Sequence, residues 1–89
     1  MVTGRVAVID HFGNAITTIR EADFDGSSVR GVTWPGGSAV GLVSTYAHID
    51  AAAAALIGSA GHLEVAARGA PVLAAGGPRL GDPVEVHLA

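Results

Sequence analysis

Residues Leu56–Ala67 read LIGSAGHLEVAA, and how they fold decides the class of the whole chain. The run before them, Ile49–Leu56 (IDAAAAAL), has strong helix propensity, with Asp50 placed as an N-cap. Leu56–Ala67 itself looks like two short strands around the turn Ser59-Ala60-Gly61. We therefore expect a loop at Asp50–Ala53 and strands on either side of Ser59.

The flanking sequence supports strands. Gly4–Ile9 (GRVAVI) alternates and is Val-rich, and Ala15–Ile19 (AITTI) is β-branched. Val29–Trp34 and Ala39–Ser44 read as a hairpin around Pro35-Gly36-Gly37. Val84–Leu88 (VEVHL) is a last alternating strand after the turn Gly81-Asp82-Pro83. Between these, Glu21–Ser28 is polar and turn-forming, with room for one helical turn. Ala70–Ala75 suits one short helix with Pro71 in its first turn, ended by Gly76-Gly77-Pro78. The expected fold is all-β: a small antiparallel barrel or sandwich with at most one or two short helices.

Bulk composition narrows the function. The chain has 89 residues, enough for one domain of modest core. It has no Cys, and its four His (His11, His48, His62, His87) are scattered, so no metal site is expected. Net charge is −3 and the five basic residues, all Arg, lie far apart, which argues against nucleic acid as a partner. No apolar run is long enough to span a bilayer as a helix, and the N-terminus lacks the layout of a signal peptide. A cytoplasmic location is the expectation. Apolar residues make up 49% of the chain and mean hydropathy is +0.47, high for so small a domain. Part of that surface is expected to be covered by another domain or another copy.

A few residues could carry chemistry. Asp10-His11-Phe12-Gly13-Asn14 sits between two strand-like runs. Asp, Gly and Asn favour turns, and Phe12 could belong to the core. The same residues could instead bind a ligand. The Asn14 amide can pair with the N6/N7 edge of adenine, the Phe12 ring can stack on a base, and the Asp10 carboxylate can hold an ammonium group. Tyr46 is a second aromatic, either packed or facing a base. Ser59, in a Gly-rich turn, has no partner pattern of a nucleophile, but it and nearby N–H groups could bind a carboxylate. Glu64, amid an apolar strand, reads as solvent-facing or locally paired rather than as an acid catalyst.

In order, IDHFGNAITTI, STYAHI, LIGSAGHLEVAARGAP and LGDPVEV resemble the C-terminal domain of the S-adenosylmethionine hydroxide adenosyltransferase family, over Gly4–Val86. That family also holds fluorinating and chlorinating enzymes. Its specific parts here are Phe12-Gly13-Asn14 and the SxGxLExA pattern of Ser59–Ala66. The resemblance implies a small, mainly antiparallel β-barrel, and hence strands in Leu56–Ala67. It implies cleavage of the bond between sulfonium and ribose C5′, by water to give adenosine and methionine or by halide. S-adenosylmethionine is then a substrate, and no cofactor is expected. Residue by residue, it implies that Asp10 holds the methionine ammonium and that Phe12 and Asn14 bind adenine. Tyr46 would pack on adenine, and Ser59 would meet the methionine carboxylate. The backbone around Ala67–Gly69 would meet the adenine edge. No catalytic residue falls in this chain.

The departures are informative. Thr18 stands where the family usually has Asn. Ala60 and Ile16 stand where the halogenating branch tends to carry Arg and Trp, which favours the hydrolase branch. The family's N-terminal α/β domain, which orients the nucleophile, is absent from these 89 residues. The resemblance implies an active site shared with the N-terminal domain of a neighbouring subunit in a homotrimer, so the chain alone is expected to be inactive. A free-standing adenosine- or S-adenosylmethionine-binding module, or an assembly domain, is the alternative; a halogenase is a further one.

Overall fold

A computed structural model describes residues 1–49 and 53–89. The loop and N-cap expected at Asp50 fall largely outside the described residues. Strands β1 (Val2–Ile9), β2 (Ala15–Arg20), β3 (Val29–Trp34), β4 (Gly37–Val40), β5 (Ala54–Ile57), β6 (His62–Ala66) and β7 (Pro83–Leu88) form one antiparallel sheet. Their spatial order is β4-β3-β7-β1-β2-β6-β5. Helical structure among the described residues is confined to single 3-10 turns at Glu21–Phe24, Tyr46–His48 and Val72–Ala75. The all-β expectation holds.

β1 joins the two halves of the sheet. Its first half, Val2–Arg5, pairs with β7, and its second half, Val6–Ile9, pairs with β2 across a bulge. The extra residue of a bulge bends the strand and strengthens its twist, which a small barrel needs. The outer strands β4 and β5 then approach each other. The Val43 N–H donates to the Ala55 carbonyl at 2.9 Å, so the chain itself bridges the remaining gap.

That bridge explains one difference from expectation. The fourth strand stops at Val40 rather than running on to Ser44. Gly41 N–H still bonds the Arg30 carbonyl on β3, whereas Val43 bonds β5. The segment is divided between two edges and cannot be one strand. The alanines of Ala54–Leu56 adopt strand, not helix, because they pair with Ala66, Val65 and Glu64 and are buried. Burial on a sheet outweighs the few tenths of a kcal/mol per residue of helix propensity.

The core is built by alternation. Ala15, Ile19, Leu63, Val65, Val84 and Val86 point inward with Val6, Val32, Phe24 and Trp34. Thr17 joins them because its Oγ1 donates to the Leu63 carbonyl at 2.8 Å. A smaller cluster of Ile49, Ala54, Leu56 and Ala66 lies on the other face of β5 and β6. Leu63 has no exposed surface. Replacing it with Ala should cost about 2–5 kcal/mol. A domain this small has little more in reserve. Urea unfolding followed by Trp34 fluorescence checks this, and a loss below about 1 kcal/mol would contradict the packing described.

Candidate functional site

The same alternation that fills the core turns Ile16 of β2 and His62 and Glu64 of β6 to the opposite face, where they line a cleft of about 850 Å³. Asp10, Phe12, Asn14, Tyr46, Ser59, Ala67 and Gly69 line this cleft too. Every residue singled out as a candidate contact therefore meets in one place, though the residues come from loops far apart in the chain. Ala60, Ala70 and Pro71 complete the lining.

Asp10 organises the loop after β1. Its Oδ1 accepts the backbone N–H of Phe12 and of Asn14, each at 2.9 Å. The Asp10 N–H donates to the Asn14 carbonyl at 3.0 Å, which closes the loop. The residue types favour a turn, and the structure makes it an Asx turn. Among the described residues, Oδ2 receives only the Asn14 Nδ2, at 3.3 Å, so it keeps acceptor capacity. Asn14 is buried, and this bond orients its amide.

Phe12 departs from the core reading. It is 76% exposed and touches His11 edge-on, with centroids 5.3 Å apart. Gly13 explains this orientation. Its φ of +84° is open to Gly, and its Cα lies so close to Pro71 that a Cβ would sit 2.6 Å from the Pro71 Cβ. The Gly13 carbonyl accepts the Val72 N–H at 2.9 Å. The loop is thus pinned to the Pro71 turn and presents an aromatic ring to solvent at the rim of a cleft.

Tyr46 stands at the cleft, half exposed. Its hydroxyl donates to Glu64 Oε1 at 2.6 Å. The hydrogen bond to Glu64, then burial, then the charges of Glu64 and Asp10 push its phenol up from 10 to about 12. Ser59 lies in the exposed loop between β5 and β6. That loop is closed by Gly61 N–H to the Gly58 carbonyl and Gly58 N–H to the His62 carbonyl, each at 2.9 Å. Ala67 and Gly69 lie past the end of β6, where Ala67 bridges to Ala70.

Sequence reasoning missed His62 as a cleft residue and found no role for Glu64. His62 Nδ1 lies 2.9 Å from the Thr17 carbonyl, which can only accept, so Nδ1 carries the proton and Nε2 is the remaining ring nitrogen. The period-2 pattern of β6 was the available signal: it sets His62 and Glu64 on one face. Among the described residues, no three His, Asp or Glu side chains are grouped to hold a metal, and no helix is long and apolar enough to cross a membrane.

Gly13→Ala should destabilise the chain by at least about 1 kcal/mol, since Ala meets both a disfavoured φ and Pro71. Urea unfolding measures the loss, and amide shifts at Phe12 and Asn14 should report a displaced loop. A variant with unchanged stability and spectrum would contradict the pinning.

The model of the SAM hydroxide adenosyltransferase C-terminal domain matches residues 4–85. A conserved hypothetical protein from Thermus thermophilus is 35% identical, with a TM-score of 0.74 over 96% of this chain and 32% of its own. An uncharacterised conserved protein from Thermotoga maritima is 26% identical, with a TM-score of 0.70 over 96% of this chain and 35% of its own. The chain thus spans about a third of these solved structures. No curated protein matches it.

Proposed function

The chain belongs to the SAM hydroxide adenosyltransferase family, as its C-terminal domain, and from this we propose that it supplies the adenine- and methionine-binding wall of an S-adenosylmethionine hydrolase. One observation supports this above the rest: Asp10, Phe12, Asn14, Tyr46 and Ser59, from three separate loops, share one cleft. In this reading the Asn14 amide pairs with the adenine edge, and Phe12 and Tyr46 offer their rings to the base. Asp10 Oδ2, with acceptor capacity to spare, takes the ammonium group. Ser59 and its loop take the carboxylate, and the backbone at Ala67–Gly69 meets the adenine.

The reaction would be displacement at the ribose C5′ with methionine as leaving group. A sulfonium leaves readily, so the protein mainly aligns water and sheds solvent. Nothing lining this cleft is assigned that alignment. It falls to an N-terminal domain, from a neighbouring subunit of a homotrimer. Water is favoured over halide because Ala60 and Ile16, where the halogenating branch tends to carry Arg and Trp, both line the cleft.

Asn14→Ala should weaken adenosine binding by about 1–3 kcal/mol, the scale of one bidentate base contact. Two-dimensional NMR titration of the 89-residue chain reads this even when binding is weak, and unchanged affinity would remove Asn14 from the adenine site. Asp10→Asn keeps the Oδ1 acceptor for the two backbone N–H groups and loses the charge. It also weakens the bond that orients the Asn14 amide, so it should lower affinity for both ligands, and clearly more for S-adenosylmethionine than for adenosine. An equal loss for both ligands would argue against an ammonium contact. Incubated with S-adenosylmethionine, the chain alone should release no adenosine. Release that Asn14→Ala abolishes would show that these residues hold a complete active site.

A further inference from the structure

We propose that Glu64 is a positioning residue of this site: from its buried place on β6 it grips the Tyr46 hydroxyl and holds that ring as a wall of the cleft. The inference rests on reading the cleft as an adenosine site, and it gives a role to an acid that the chemistry leaves unused.

A carboxylate in the middle of a sheet needs a reason. Glu64 is 8% exposed, and its strand neighbours in register are Ile16 and Leu56, both apolar. Burying a charged group costs free energy unless it is bonded. Its partner is Tyr46, which stands in the 3-10 turn Tyr46–His48 rather than in a strand. No sheet hydrogen bond fixes the ring of a residue in such a turn. The 2.6 Å bond to Glu64 does.

Gly58 shows that the fold makes room for this carboxylate. A Cβ on Gly58 would collide with Glu64 Oε2, and Cδ would be 2.6 Å away. Any other residue at position 58 would drive the carboxylate out of its place. Gly58 lies outside the cleft lining, and the atoms a Cβ there would meet are those of Glu64. The groups that face the Tyr46 phenol are Glu64 and Asp10, both acidic, and both hold it in its neutral, donating form. Below its raised value the bond is intact. As pH climbs through about 12 the phenol ionises, the donor is lost, and the grip with it.

Tyr46 is the single tyrosine of the chain, so the tyrosinate band in the ultraviolet absorbance reports its ionisation alone. The wild-type midpoint should lie near 12. Glu64→Leu removes charge and acceptor and should lower it towards the ordinary value, with burial and the Asp10 charge still holding it somewhat up. Glu64→Gln keeps an acceptor and should fall between. Should Glu64→Leu fail to fold, Gly58→Ala serves in its place, since it displaces the carboxylate without altering a cleft residue. A midpoint that none of these variants moves would overturn the grip.

The second readout is adenosine affinity by NMR titration. Glu64→Leu should weaken it by about five- to tenfold, and Glu64→Gln should restore most of it. In a Tyr46→Phe background, where the bond is already gone, Glu64→Leu should cost nothing further. An equal penalty in that background would show that Glu64 acts by another route and would overturn the positioning role. If the wild-type chain binds no adenosine, the adenosine reading falls and takes the positioning role with it. The absorbance titration still decides whether Glu64 grips Tyr46.

Discussion

The structure depends on β1 serving two partners. Its first half is held by β7 and its second by β2, and the bulge between Val6 and Val8, within the β2-paired half, bends the strand as it passes from one half of the sheet to the other. Gly4 marks how tight this turn is, since a Cβ there would meet the Ile19 side chain and Thr18 Oγ1 at 2.6 Å. Small barrels have few inward positions, so each half of the sheet alone would leave its apolar face in water. The corner in β1 joins them over one core. It also fixes the site, because the loop that carries Asp10, Phe12 and Asn14 begins where β1 ends.

The cleft is the back of the core. On β6, Leu63 and Val65 go inward and His62 and Glu64 go to the cleft; on β2, Ala15 and Thr17 go inward and Ile16 goes to the cleft. A slip of one residue in this pairing would exchange the two sets. Thr17 ties the register from both sides. Its Oγ1 donates to the Leu63 carbonyl, and its own carbonyl takes the His62 ring. The same residue thus stabilises the packing and orients a cleft side chain.

Much of this was legible in the residues. The alternation of Gly4–Ile9 and Val84–Leu88, the β-branched Ala15–Ile19 and the turn types between them point to antiparallel strands. The Asp-x-x-Gly-Asn order points to a turn, and Asp10 closes one by accepting the N–H groups of Phe12 and Asn14. What was not legible depends on contacts between distant residues. The pairing of Tyr46 with Glu64 spans 18 positions and that of His62 with Thr17 spans 45. No local pattern encodes either. Hydrophobicity alone assigns Phe12 to the core, whereas the positive φ of Gly13 and its contact with Pro71 place the ring in solvent. The length of β4 could not be read either, because it is set by the competition of β3 and β5 for the segment after it.

The charges of the cleft bear on how the proposed chemistry is shared between domains. Asp10 and Glu64 line it, with His62, and among the described residues no Arg or Lys does. An acidic wall favours a ligand carrying positive charge, and S-adenosylmethionine has two such groups, the ammonium and the sulfonium. As the C5′–S bond breaks, the sulfonium becomes a neutral thioether. Attraction to the wall is therefore stronger in the bound substrate than in the transition state. Only interactions that strengthen towards the transition state accelerate a reaction. In the proposed reaction a wall of this kind would capture and orient the substrate, and after cleavage it would hold the thioether less tightly. In that proposal, acceleration would come from groups that align water on the far side of C5′. The charge balance of the cleft thus agrees with the proposed division of labour: binding on this barrel, nucleophile alignment supplied from elsewhere.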